Sequence, residues 1–214
     1  MKKKNIENIR KDFNKSKIDF LNTVDCPIMY FKSWLDDILS IDPNEAISFV
    51  LSTVNEFNIP SSRVLLLREI NDEGFIFYTN YMSRKGRDIE KNNNVSLNFN
   101  WASLERQIRI KGEVVKVSEE KSDDYFSSRP RNSQLGTWIS NQSSNIELNT
   151  NLDELVENIS KEFREKEVVR PNNWGGYLVL PKEIEFWQGR PSRMHDRLKY
   201  SKESNNWRKE RLAP

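Results

Sequence analysis

The run SSRVLLLREINDEGFIFYTN, residues 61–80, constrains the fold more than any other stretch of the chain. Two segments rich in aliphatic and aromatic residues flank NDEG, a turn-forming tetrad, so the run predicts an antiparallel hairpin. EAISFVLSTVN (45–55) alternates small residues with bulky ones, as a half-buried strand does. VSLNFNWAS and ERQIRIKGEVVKVS predict a second hairpin-like pair, and 176–180, 183–188, 193–200 and 206–212 read as further strands. Helical spacing interrupts them. It places Ile28, Phe31, Trp34, Leu35, Ile38 and Leu39 on one face, with Pro27 in the first turn. SRKGRDIEKN predicts a short helix capped by Ser83, EEKSDDYFSSR and RNSQLGTWIS read as helical, and LDELVENISKEFREK is amphipathic. Antiparallel strands broken by helices make a mainly β, α+β chain, best closed as a barrel decorated by helices. The βα alternation of a doubly wound sheet is absent, as are GxGxxG and P-loop motifs.

At 214 residues the chain suits one domain, residues 19–214, behind a disordered N-terminal tail, residues 1–18. The opening MKKKNIENIRKDFNKSK is basic but holds no apolar stretch of the kind a secretory leader needs. VLLL, Val64 to Leu67, is far too short to span a bilayer, so no membrane partner is expected. Cys26 is the single cysteine, which forbids an internal disulfide and favours a reducing, cytoplasmic setting. Lys and Arg number 34 against 32 Asp and Glu, a net charge of +2, so any recognition of anions must be local and no nucleic-acid partner is expected.

Four segments carry candidate chemistry. In GRPSRMHDRLKYS the single histidine, His195, stands between Arg193 and Arg197, and a strand would put all three on one face. That face needs either solvent or an anionic partner. In YTNYMSRKGRD, Arg84 and Lys85 fall in the first turn of a predicted helix, where cations oppose the helix dipole unless an anion is bound. The plainer alternative is that both bend into water. In SSRVLLLRE, Arg63 and Arg68 flank the aliphatic run, either snorkelling at a barrel rim or aiming a guanidinium at phosphate. In DYFSSRPRNSQLG, Tyr125, Arg129 and Ser133 are spaced i, i+4, i+8, a phosphate-binding set if the helix is continuous, although Pro130 predicts a kink or a change of element. One His and one Cys cannot build the usual zinc set, so no metal is expected. No GxSxG elbow supports a Ser–His–Asp triad. Six Trp and six Tyr leave single-strand RNA binding as a distant alternative, which the balanced charge disfavours.

Taken in order, SSRVLLLRE, FYTNYMSRKGRDIE, LERQIRIKGEV, YFSSRPRNSQLGTWIS with QSS after it, WGGY, IEFWQG, RMHDR and the terminal RLAP resemble the pyridoxine/pyridoxamine 5′-phosphate oxidase family from about Ile41 to Pro214. The resemblance implies a split β-barrel of the FMN-binding type, with Greek-key-like antiparallel strands, working as a homodimer with flavin sites at the subunit interface. It implies that Arg63, Val64, Leu65, Leu66, Leu67 and Arg68 line the FMN, with Tyr78, Thr79, Arg84, Lys85 and Gln107. Gln142, Ser143, Trp187 and Arg197 complete that set. Tyr125, Arg129 and Ser133, with Arg68, would hold the substrate phosphate, and Arg193, Met194 and His195 would close over the pyridine ring, Arg193 and His195 as the catalytic pair. The implied reaction converts pyridoxamine or pyridoxine 5′-phosphate to pyridoxal 5′-phosphate by hydride transfer from substrate C4′ to flavin N5, with O2 reduced to H2O2. One departure stands out: the family usually carries lysine where this chain has Arg68. A flavin- or haem-binding split barrel with a different redox substrate, or none, is the alternative.

Overall fold

The computed structural model describes Glu7 and residues 12–204 and 206–214. Two helices open it. In α1 (Pro27–Leu39) the predicted apolar face buries Ile28, Phe31, Trp34 and Ile38. Next comes α2 (Pro43–Ile47), where the sequence predicts strand from residue 45. Asp42 accounts for the difference: its carboxylate accepts the N–H groups of Asn44 and Glu45, and Pro43 is already set for the first helical turn. The strand β1 (Ser48–Val54) follows, with Phe49, Leu51 and Thr53 buried in strict alternation.

The run 61–70 is not one strand. β2 (Pro60–Leu66) ends before Leu67, and only β3 (Glu69–Ile70) forms the hairpin with β4 (Phe75–Asn80), pairing Glu69 with Ile76 and Ile70 with Phe75. The NDEG turn closes as predicted, with the Asn71 side chain accepting the N–H groups of Glu73 and Gly74. Then come α3 (Arg84–Lys91), β5 (Asn94–Trp101), β6 (Arg106–Lys116), α4 (Glu119–Ser128), α5 (Arg131–Ile139) and α6 (Leu152–Glu162). The two segments expected as separate strands near residues 176–188 form one, β7 (Trp174–Gln188), followed by β8 (Asp196–Glu203) and β9 (Asn206–Leu212). The strands hydrogen-bond in the order β2-β1-β5-β6-β7-β4-β3, with β8 on β7 and β9 on β8. This is a mostly antiparallel, helix-decorated sheet, the split-barrel class expected from the sequence.

The chain divides into two compact units. One comprises Phe49–Leu97 and Lys111–Pro181; its core includes Phe49, Leu51, Phe75, Phe77 and Leu97. A satellite cluster of Phe126, Leu135, Val168 and Trp174 joins α4 and α5 to the start of β7, with Ile159 and Phe163 packed against it from α6. The other unit comprises the described residues up to Ser48, with Asn98–Ile110 and Lys182–Pro214. Its core is aromatic: Phe31 meets Phe99 edge-on at 5.0 Å, Trp34 meets Phe186 at 5.2 Å, and the Trp101 indole N–H donates to the Ala46 carbonyl.

Of the tail expected over residues 1–18, residues 1–6 and 8–11 lie outside the described residues. Residues 12–18 make specific contacts. The N–H groups of Asn14 and Lys15 donate to Glu105 Oε2 at 2.8 and 3.0 Å, and Ile18 N–H donates to Asp196 Oδ2 at 3.2 Å. Both carboxylates are buried, and Ile18 is buried too. Hydrogen bonds to charged acceptors are worth about 1.5–3 kcal/mol each. A chain starting at Asp19 is therefore expected to be less stable than one starting at Asp12 by about 2 kcal/mol or more; chemical denaturation of the two deletions checks this.

Candidate active site

The candidate site lies wholly in the Phe49–Leu97/Lys111–Pro181 unit. It is a cavity of about 450 Å³ lined by Val64, Leu65, Leu66 and Arg68 from the end of β2 and the break after it. Tyr78, Thr79 and Asn80 contribute from β4, Trp174 from β7. The rest of the wall is Tyr125, Arg129, Ser133, Gly136, Thr137, Ser140 and Gln142. Ten of the residues singled out in the sequence thus meet on one cavity. Leu67 does not; it is buried in the core. Ser143 is exposed, in a left-handed conformation at φ 73°.

Lys85 lies behind the cavity lining, bonded to two of its residues, Thr79 and Gln142. Ser83 caps α3 and Lys85 follows in its first turn, the arrangement predicted from SRKGRD. Lys85 is 5% exposed, and its ammonium donates to Gln142 Oε1 at 2.9 Å, Ser83 Oγ at 3.0 Å and Thr79 Oγ1 at 3.2 Å. All three acceptors are neutral. Burial, and secondarily the charge of Arg63, pushes Lys85 down to about 8. Arg63 has a carboxylate nearby, Asp88 at 3.9 Å, and also donates to Thr53, Ser61 and the Leu51 carbonyl. Arg84 is exposed beside them. A phosphate fits this donor set: it would supply the counter-ion that the buried lysine lacks.

At the break between α4 and α5 stands a second cationic group. Arg129 caps the C-terminus of α4 and Pro130 caps the N-terminus of α5, so the helix breaks where the sequence places Pro130, and Tyr125, Arg129 and Ser133 still line one cavity. The Arg129 guanidinium lies 4.6 Å over the Trp174 ring and donates to Thr137 Oγ1 at 2.8 Å. Tyr125 stacks on Tyr78 with ring centroids 3.8 Å apart, and Trp174 continues the stack. Burial and then Arg68 hold Arg129 below the usual guanidinium range, an effect that Tyr125 opposes. Burial, then Glu69, pushes Tyr78 up to about 12, so its hydroxyl stays neutral. Trp174 and Thr137 line the cavity and contact Arg129, and the sequence reading did not single them out. The i+4 step from Ser133 reaches Thr137, and WGGY contains Trp174, but neither signal says which side chain faces the guanidinium.

The remaining candidates belong to the other unit. The reading of Arg193, His195 and Arg197 as one strand face is corrected: β8 begins at Asp196, and Ser192 and Arg193 sit in a 3-10 turn at φ 55° and 61°. Pro191 and the left-handed pair turn the chain before the strand starts. Nor do the arginines need a ligand to relieve their repulsion. Arg197 pairs with Glu185 at 2.8 Å, and Asp196, structural as expected, pairs with Arg190 and Arg211. Arg193 is exposed. Met194 and His195 line a cavity of about 320 Å³ with Arg211, Leu212, Ala213 and Pro214. The His195 ring lies 4.6 Å from Trp187 and 5.7 Å from Phe13. The Arg190 N–H donates to His195 Nδ1, so in the neutral ring Nε2 carries the proton and is a donor. Gln107 and Trp187 are half-buried on β6 and β7.

The buried lysine gives a pH expectation. Without an anion Lys85 loses its proton near 8, so above that pH the empty site presents a neutral amine. A bound phosphate favours the charged form, so affinity for it is full below about 8 and falls as pH rises beyond. Calorimetric titration with inorganic phosphate from pH 6.5 to 9.5 checks this; constant affinity contradicts it.

Residues 42–157 match the family model described as pyridoxamine 5′-phosphate oxidase, and residues 174–214 match that of the pyridoxine 5′-phosphate oxidase C-terminal dimerisation region. A pyridoxine/pyridoxamine 5′-phosphate oxidase of Legionella pneumophila is 44% identical over 211 residues, covering 99% of this chain and 98% of that one. Its namesake in Flavobacterium psychrophilum is 46% identical, covering 99% of this chain and all of its own. Among solved structures, PhzG from Burkholderia lata, in complex with tetrahydrophenazine-1-carboxylic acid, superposes with a TM-score of 0.85 at 28% identity, covering 94% of this chain and 100% of that one. With both segments matched and near-half identity over the full length, the chain belongs to the pyridoxamine 5′-phosphate oxidase family.

Proposed function

We propose that this chain is an FMN-dependent oxidase that converts pyridoxamine and pyridoxine 5′-phosphates to pyridoxal 5′-phosphate, working as a homodimer in the cytoplasm. The observation that carries the reading is a cavity lined by Arg129 and Arg68 beside a stacked aromatic wall, with the buried Lys85 behind it, bonded to Thr79 and Gln142 of its lining. A phosphorylated flavin and a phosphorylated pyridine need just such a pair of grips. Lys85, Arg63 and Arg84 would hold the FMN phosphate, with Thr79 and Gln142 fixing the lysine. Val64, Leu65 and Leu66 would supply an apolar edge. Arg129, Arg68, Tyr125 and Ser133 would hold the substrate phosphate. Arginine at position 68 keeps the cation and adds a bidentate fork.

FMN, held by these residues, would supply the hydride acceptor and the route for electrons to O2. The protein's own part is position. His195 donates through Nε2 to the substrate, its tautomer fixed by the Arg190 N–H. Its ring is held edge-on by Phe13 and against Trp187. Arg193, exposed on its turn, would reach the ring from a backbone that needs no strand. The exposed thiol of Cys26 suits a reducing compartment. The match of residues 174–214 to a dimerisation region supports the homodimer.

His195→Ala is expected to keep FMN and lower kcat/KM by about 1–2 kcal/mol, the worth of one hydrogen bond to substrate. Steady-state kinetics on flavin-saturated protein checks it. The function itself is tested by product: one pyridoxal 5′-phosphate and one H2O2 per substrate consumed. A haem Soret band in the purified protein, with no aldehyde formed, would sink the proposal.

A further inference from the structure

We infer that Glu185 is a positioning residue for the flavin site, holding Arg197 in one orientation; this rests on the proposed FMN-dependent function and on the FMN contact that the family resemblance implies for Arg197. Arg197 sits at the start of β8, opposite Trp187 on β7, and Glu185 lies two residues before Trp187 on the same face. Glu185 Oε1 accepts from Arg197 Nε at 2.8 Å, and Oε2 accepts from Arg109 Nη1 at 3.2 Å. On its far side Arg197 Nη1 donates to the Ala213 carbonyl at 2.9 Å. The guanidinium is thus fixed at Nε and at Nη1. Nη2 has no partner among the described residues.

Burial shows that the pairing is unusual. The Glu185 side chain is 6% exposed, while those of Arg197 and Arg109 are 26% and 45% exposed. The carboxylate, not the arginines, has been taken out of water. A buried ion pair is weak evidence for stability, because apolar residues of similar volume often serve as well. What the carboxylate does provide is direction. A free arginine loses rotamer entropy on ordering, and two anchors remove that cost before a ligand arrives. The hydrogen bond that Arg197 donates to Glu185 also holds its guanidinium above the usual range, so its charge is secure.

The test is a double-mutant cycle on FMN retention. Holoprotein is diluted stepwise, and the fluorescence of released flavin gives the dissociation constant for wild type, Glu185→Gln, Arg197→Ala and the double variant. We expect Glu185→Gln to weaken FMN roughly 10-fold or more, as loss of a charge-assisted contact does. Arg197→Ala should weaken it at least as much, and the double variant no more than Arg197→Ala alone. Additive effects, or wild-type retention in Glu185→Gln beside a weakened Arg197→Ala, would overturn the positioning role and leave the proposed oxidase standing. Unchanged retention in Arg197→Ala would overturn the flavin contact itself, and this inference with it. Should Glu185→Gln fail to fold, Glu185→Asp, which keeps the charge on a shorter arm, carries the same cycle with the same outcomes.

Discussion

Lys85→Met will make the flavin-free protein more stable and nearly unable to hold FMN. The ammonium is buried among Thr79, Ser83 and Gln142 with no carboxylate of its own. Its drop from 10.5 to about 8 marks a native state that disfavours the charge. The sign follows: the unfolded chain binds this proton more tightly, so below about pH 8 the charged lysine costs stability, and the cost fades as pH rises toward 10.5. At pH 7 the shift corresponds to about 3 kcal/mol. Methionine fills the space without the charge but leaves three acceptors short of a donor, so we expect a net gain of about 1–2 kcal/mol. FMN affinity should fall by roughly 100-fold through loss of the phosphate's counter-ion. Denaturant melts of apoprotein at pH 7, paired with flavin release, decide both halves. A less stable apoprotein that keeps its flavin would contradict the assignment of Lys85.

Arg129→Ala is the converse. It should leave FMN bound and raise KM for pyridoxine 5′-phosphate roughly 10- to 100-fold, the worth of a charge-assisted contact. Arg129 is placed by Thr137 and the Trp174 ring rather than by any carboxylate, so its charge is available to a ligand. Removing it also strips a cation from Trp174, and a modest loss of stability should accompany the KM effect. Steady-state kinetics at saturating FMN gives the answer: a variant that loses flavin as readily as substrate would merge the two phosphate grips into one.

Much of this site was legible because its signals are local. Ser83 and SRKGRD announce a capped helix start whatever surrounds it, and Tyr125, Arg129 and Ser133 meet despite the helix break that Pro130 announces. What was not legible depends on pairing. Residues 61–70 read as one β-rich run because alternation cannot say which neighbour a strand takes. The structure sends β2 to β1 and β3 to β4, and the break at Leu67–Arg68 puts Arg68 into the cavity wall. In RMHDR the pattern of a strand extended three residues too far, because Ser192 and Arg193 adopt φ angles that side-chain alternation does not register. The partners that relieve those arginines, Glu185 above all, come from another strand.

The central claim is that one cavity grips two phosphates, one on a flavin and one on a pyridine substrate. An anaerobic titration of the flavin-loaded protein tests it most directly, comparing pyridoxine 5′-phosphate with pyridoxine lacking the phosphate. The account predicts that the flavin absorbance bleaches stoichiometrically with the phosphorylated compound and scarcely responds to the other at the same concentration, a preference that Arg129→Ala removes. Equal bleaching by both, or none by either, would contradict it.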